Sequence, residues 1–326
     1  MHNAQCTIHN PLYTLHIKIM KTIQLLLFVA LTCSAFTCNS GNNATETPSD
    51  VSAPAMASND NKEVLTVFRH VDRKEVVNYQ VTDPELDFRE LPDGFYASTS
   101  CHLMWPKTVF GKTSRNLEQA LIDVLSNTEG KYKTLDAALN YILQPLDNIP
   151  FERNQIGQVK TIKAIPENAG MNQAYFNVSL SPQSMDADIC VFHFEKENYM
   201  GGAHGMNWDR YVNYDVKNDK VIKLTDLVSD TVKLRQVITQ ALFDKENVKS
   251  IADLNEAGYI IDTDEAYVPI TTDFYLNGFD IHFVYAPYAI ACYAMGSVDV
   301  VIYPFQLDNA GIMTEYYNDL ISRYTR

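Results

Sequence analysis

Positive charge is scarce in this chain of 326 residues: 26 Lys and Arg stand against 40 Asp and Glu, a net charge of −14. Without a basic face nothing neutralises a phosphate backbone, so nucleic acid is excluded as an expected partner. A glycine-rich phosphate loop is missing, and with it the cradle that nucleotide chemistry needs. No internal repeat points to a solenoid. Paired cysteines and histidines at metal-ligand spacing are missing too, so neither a metal nor a cofactor is expected. Past Cys38 only Cys101, Cys190 and Cys292 remain. An odd number allows at most one bridge within the chain and leaves one thiol over. Cys190 lies in an apolar run and Cys292 in a loop segment, where either can serve as a small buried hydrophobe.

What is present begins with an export signature. Lys18 and Lys21 precede the apolar run 23–31, the basic and hydrophobic regions of a secretion signal, too short for a comfortable bilayer crossing. Met20 offers a second start, since residues 1–19 add nothing that a signal needs. Ala35-Phe36-Thr37-Cys38 reads as a relaxed bacterial lipobox with Cys38 as the lipidated first residue, so the expected product is a lipid-anchored envelope protein. Phe36 and Thr37 depart from the strict pattern and Cys33 competes; ordinary cleavage and retention as an anchor are the alternatives. Residues 1–37 are thus read as a leader, and their removal takes away two lysines and no acid, changing −14 to −16. Residues 38–61, rich in Asn, Ser, Thr, Pro and Asp and without an aromatic side chain, cannot offset their ordering entropy and are expected to be a flexible linker.

Beyond the linker the hydrophobic pattern predicts an α+β fold, a mixed or antiparallel sheet with helices packed on it, in two consecutive subdomains at 62–150 and 170–308, then a helix at 309–326. Runs 64–68 and 76–81 read as short strands joined by a charged turn at 70–75, and 96–105 as a longer strand that Pro106 ends. Helical spacing of Leu117, Ala120, Leu121 and Val124, then of Leu135, Ala138, Leu139 and Ile142, predicts two helices, the second capped by Thr134. The proline-punctuated stretch 145–166 is the candidate boundary, with Ile149, Phe151 and Ile156 packed. Strands are expected at 173–180, 188–195, 206–215 and 221–224, and a helix at 232–247 capped by Asp230 or Ser229. Asn277-Gly278 between alternating runs predicts a type I′ hairpin, partnered by 297–303.

Two segments stand apart. Tyr199-Met200-Gly201-Gly202-Ala203-His204-Gly205 sets three glycines around one histidine between strands, a backbone shaped for close approach. The segment 285–296, with Tyr285, Pro287, Tyr288 and Tyr293 among small residues, reads as a loop between two further strands. With Tyr211-Val212-Asn213-Tyr214-Asp215 between them, these segments resemble the extracellular domain of unknown function shared by RsiV-type anti-sigma factors and PdaC-type polysaccharide deacetylases, over about residues 170–308. The smaller domain that precedes it in such proteins resembles 96–122. That resemblance implies an α+β fold and a region that binds lysozyme and does no chemistry. The separate catalytic domain of the deacetylases has no counterpart here, and only a signal-like segment precedes the fold, so neither hydrolysis nor an anti-sigma role is expected.

Tyr199, Gly201, Gly202, His204, Gly205, Tyr285, Pro287, Tyr288 and Tyr293 are therefore the candidate ligand-binding residues, and no catalytic residue is assigned. His204 could act as a base, but one histidine with His193 and His282 distant in sequence makes no metal site, and fixing its own loop by backbone hydrogen bonds is the stronger reading. Asp262, Asp264 and Glu265 lack the glycine and later glutamate of a calcium loop and read as a solvated acidic turn. Tyr199, Tyr211, Tyr214, Tyr285, Tyr288 and Tyr293 suit a protein partner or sugar stacking, about half of them being expected in the core. The leading expectation is a protein ligand, cationic and lysozyme-like; a cell-wall glycan is the alternative, and a hydrolase using His204 the third. Cells supplied with an alkyne-tagged fatty acid should label the wild-type protein and not Cys38→Ala; an unlabelled wild-type product that begins elsewhere by mass spectrometry contradicts the anchor.

Overall fold

The computed structural model describes residues 65–82, 94–170 and 172–324; the leader, Cys38 and the linker lie outside the described residues. The fold is α+β, built on a seven-stranded mixed sheet and a three-stranded one.

The expected turn at 70–75 is a strand instead. Val67–Val81 forms one element, β1, paired antiparallel with β2, Phe95–Thr108, in continuous register from Arg69↔Trp105 to Tyr79↔Phe95. The charged run follows the period of two: Val71 and Arg73 are half-buried while His70, Asp72 and Lys74 face out, so charge here marks a solvated strand face. Arg73 reaches Asn140 at 2.9 Å and pairs with Asp136. Nor does Pro106 end β2. It sits opposite Phe68, where the register shifts, an irregularity at which a missing N–H costs little.

A parallel pair needs a crossover, and β2 reaches its parallel neighbour β4, Gln173–Met185, through two helices and a strand. These are α1, Arg115–Ser126, capped by Ser114; α2, Leu135–Ile142, capped by Thr134; and β3, Ile156–Thr161, which pairs with β1. Leu117, Leu121, Leu125, Leu135 and Leu139 bury their faces against Leu103, Leu180, Phe192, Phe194 and Val212 of the sheet, each such side chain contributing about 1.5–3 kcal/mol. Ile149, Phe151 and Ile156 pack with Val77, Tyr79 and Ala97. Strands β5, Ile189–Tyr199, β6, Met206–Asp215, and β7, Lys220–Ile222, complete the order β3-β1-β2-β4-β5-β6-β7. Segments 62–150 and 170–308 thus contribute strands to one sheet.

The opposite face of β5 and β6 carries the second layer. After the short α3, Leu224–Leu227, comes α4, Thr231–Glu246, whose first N–H groups are accepted by Asp230; α5, Ile251–Glu256, follows. Then come β8, Phe274–Asn277, β9, Asp280–Tyr285, and β10, Val298–Ile302, in the order β10-β9-β8. Asn277 pairs with Asp280, so the turn centres on Gly278-Phe279 and Gly278 has the positive φ of 61°. That is the placement of a II′ turn, not the expected I′. The chain closes with α6, Pro304–Asn309, and α7, Glu315–Tyr324. Arg323 on α7 donates to the fully buried Asp215 at 2.8 Å, joined by the Tyr316 hydroxyl at 2.9 Å and by Asn218. Burial alone would raise the Asp215 pKa; these donors outweigh it and hold the carboxyl below its ordinary range. Cys101, Cys190 and Cys292 are free thiols.

One side chain ties the layers together. Asn213 on β6, 2% exposed, donates to the carbonyl of Phe274 at 2.9 Å and accepts from the Leu276 N–H at 2.8 Å, satisfying the outer edge of β8. Asn213→Leu leaves both backbone groups buried and unpaired at roughly 1–3 kcal/mol each. Urea unfolding should show a loss of about 3 kcal/mol; a loss under about 1 kcal/mol contradicts the role assigned to the amide.

Candidate functional site

The β5–β6 connection is built by glycines with two different duties. Gly201 and Gly202 take φ of 93° and 97°, yet a Cβ on either would meet nothing within 4 Å, so their need is conformational. Gly205 is the reverse: a Cβ there would lie 2.6 Å from the Asn198 carbonyl oxygen, so its need is space. Tyr199 closes the loop, its hydroxyl donating to the Gly202 carbonyl at 3.0 Å and its ring stacked on Tyr175 at 5.7 Å. Burial and the neighbouring Glu197, which accepts from it at 2.8 Å, push the Tyr175 hydroxyl up to about 12.

The β9–β10 connection folds back on itself. Tyr288 is left-handed at φ 67°, a strained state for a residue with a bulky side chain, and its N–H donates to the Ala291 carbonyl at 3.1 Å. The connection is pinned from below by Ile260 N–H to Ile290 O at 2.9 Å and Cys292 N–H to Gly258 O at 3.1 Å.

These two connections meet. The His204 ring stacks on Tyr293 with centroids 3.6 Å apart and 13° between planes. Its Nδ1 lies 3.0 Å from the Gly205 carbonyl and its Nε2 3.3 Å from the Tyr288 hydroxyl. A carbonyl can only accept, so Nδ1 carries a proton, and in the neutral ring Nε2 accepts from Tyr288. His204 and Tyr288 are exposed, Tyr288 at 48%, with Tyr293 half-buried beneath them. The result is an open aromatic lip. Tyr285 and Pro287, expected beside it, lie in the interior. The Tyr285 hydroxyl donates to the Pro269 carbonyl at 2.7 Å, and burial raises its pKa. Tyr214 is core as well, bonded to Asp219 at 2.7 Å.

Sequence reasoning missed a column of rings beneath the lip. His193 stacks on Tyr211 at 4.8 Å, Tyr211 meets Tyr275 at 4.8 Å, and Tyr275 stacks on His282 at 4.5 Å. Asp209 holds His193 at 2.7 Å and Asp299 holds His282 at 2.9 Å; Ser297, the last residue of the β9–β10 connection, donates to Asp209 at 3.2 Å. The signal lay in strand pairing, since His193↔Tyr211 and Tyr275↔His282 are direct cross-strand partners. Among the described residues no group of three His, Cys, Asp or Glu side chains could hold a metal ion. In the acidic turn, Asp262 accepts from the Asp264 N–H at 3.0 Å and Glu265 pairs with Arg235 at 2.8 Å.

Replacing Gly202 by Ala forces a Cβ into a left-handed backbone at about 1–2 kcal/mol. Since no neighbour obstructs it, the cost should appear as faster amide exchange confined to the β5–β6 loop. Unchanged exchange there, or a global loss of protection, contradicts the division of duties among the three glycines.

Residues 219–303 match a family model described as Protein of unknown function (DUF3298). The match takes in the β9–β10 half of the lip and leaves the glycine loop outside. No curated protein matches the chain. A crystal structure of a member of the DUF3298 family from Bacteroides fragilis NCTC 9343 is similar at a TM-score of 0.56 and 18% identity, covering 80% of this chain and 99% of that one. A DUF3298 family protein from Pseudomonas aeruginosa PAO1 gives 0.46 and 13%, covering 78% and 97%. The chain carries a DUF3298-type segment at 219–303, and the Bacteroides likeness extends to the fold as a whole.

Proposed function

We propose that this is a non-catalytic recognition module of the bacterial cell envelope, tethered through lipid at Cys38, whose aromatic lip binds a cationic protein of the lysozyme type. It rests on one observation, the stacking of His204 on Tyr293 and its contact with Tyr288, which joins loops from two different sheets into a single exposed surface. Rings held in place before binding lose little entropy on association, and tyrosine is favoured where a few residues carry most of the affinity. His204 is engaged by Gly205, Tyr288 and Tyr293 at once, which makes it part of the platform and ill suited to shuttling protons. The net charge of −16 that remains once residues 1–37 are removed steers a cationic partner toward the surface. In this reading the module is of the RsiV and PdaC kind.

A glycan ligand is the second reading, favoured by the exposed Tyr288 ring, which could stack on a sugar face. Binding to hen lysozyme should be measurable at low salt, fall steeply as salt rises, and weaken about tenfold or more in Tyr288→Ala. No binding at low salt removes this partner. Retention on insoluble peptidoglycan that Tyr288→Ala abolishes would move the assignment to the glycan.

A further inference from the structure

A second cleft, sharing no residue with the lip, opens between the helix-covered face of the large sheet and the ends of α1 and α2. Its floor comes from one sheet face: Lys196 is the register partner of Trp208 and of Val178, and Arg210 stands two residues beyond Trp208. Phe176 and Tyr141 add apolar walls, Asn127 and Asn148 add amides at the rim, and the cleft holds about 410 Å³, within the size range of small-ligand sites.

Its chemistry runs against that of the chain. In a protein of net charge −14 this cleft presents two cations. Lys196 Nζ donates to the carbonyls of Val124 at 2.8 Å and Leu125 at 3.0 Å at the end of α1. That uses two of its three donors and fixes the ammonium at the negative end of the helix. Arg210 is anchored through Nη1 to Asp273 and to the Asp209 carbonyl, and a guanidinium has further donors. Burial lowers the Lys196 pKa to about 8, with the nearby Arg210 charge adding to the shift and the Asp273 carboxylate opposing it. Asp147, on the cleft wall, is paired with Arg153. Two positioned cations in a cleft that Trp208 also lines are suited to an anion attached to a ring.

We infer that this cleft binds a small ring-shaped ligand bearing a carboxylate, with Lys196 and Arg210 taking the carboxylate and Trp208 the ring. Acidic sugars and aromatic acids share that chemistry. The inference does not rest on the lip, so either reading can fail alone.

Trp208 reports on the site directly, because the chain's other tryptophan, Trp105, is buried in the core. Intrinsic fluorescence would be titrated with glucuronate against glucose, and with benzoate against benzyl alcohol. In at least one pair the acid should perturb the emission with affinity about tenfold above its neutral counterpart; the pair that shows it names the ligand source. The response should vanish in Trp208→Phe, and Lys196→Gln should erase the preference for the acid. The comparison of acid and neutral probe on the wild-type chain stands whether or not that variant folds. Equal response to both members of each pair, no response to any probe, or a response that survives Trp208→Phe overturns the inference and leaves Lys196 as a helix cap alone.

Discussion

Asn213 stands where the seven-stranded and three-stranded sheets meet, and its amide supplies the acceptor for Leu276 and the donor for Phe274 that a neighbouring strand would otherwise provide. Because both bonds are buried, no water can substitute if the sheets slide. The clamp therefore fixes the register of β8 against β6 and, through the β8–β9 ladder, of everything attached to β9. Above it the rings of His193, Tyr211, Tyr275 and His282 stack from one sheet to the other with an aspartate at each end. The lip is the outcome of that register: its two loops belong to different sheets and touch only because the sheets are locked.

This arrangement separates the tyrosines of the core from those left at the surface. Tyr285, Tyr214 and Tyr317 spend their rings on the core and their hydroxyls on Pro269, Asp219 and the Phe279 carbonyl. Tyr288 and His204 remain exposed, held by a strained turn and a glycine loop. Strain at an exposed loop persists only where the surroundings over-determine it, and the backbone bonds of Ile260 and Cys292 beneath the turn do so.

Much of this was legible in the residues. The caps Thr134 and Asp230, the periodic leucines of α1 and α2, and the alternating strands of β4 to β6 announce themselves because local chemistry and tertiary packing agree there. The glycine loop and the tyrosine-bearing segment 285–296 stand out in the sequence, and the fold brings His204 of the first against Tyr288 and Tyr293 of the second. Where the sequence misled, the tertiary context had overruled a local rule. The charged run 70–75 resembles a turn until β2 is seen paired along it, and Pro106 resembles a stop until its partner register is seen to shift. Nothing in the residues around them distinguishes Tyr285 from Tyr288; Tyr285 ends β9 and is buried, whereas Tyr288 stands exposed in the left-handed turn beyond it. Lys196 was passed over because a lysine in a strand reads as solvent-facing until α1 is known to end above it.

The central claim is that the locked sheets hold His204 against Tyr293 in solution, and the imidazole C–H resonances of His204 test it most directly. A ring stacked at 3.6 Å on tyrosine experiences its ring current, so these resonances should lie upfield of their free-histidine positions and return toward them in Asn213→Ala. Free-histidine positions in the wild-type protein would contradict the account.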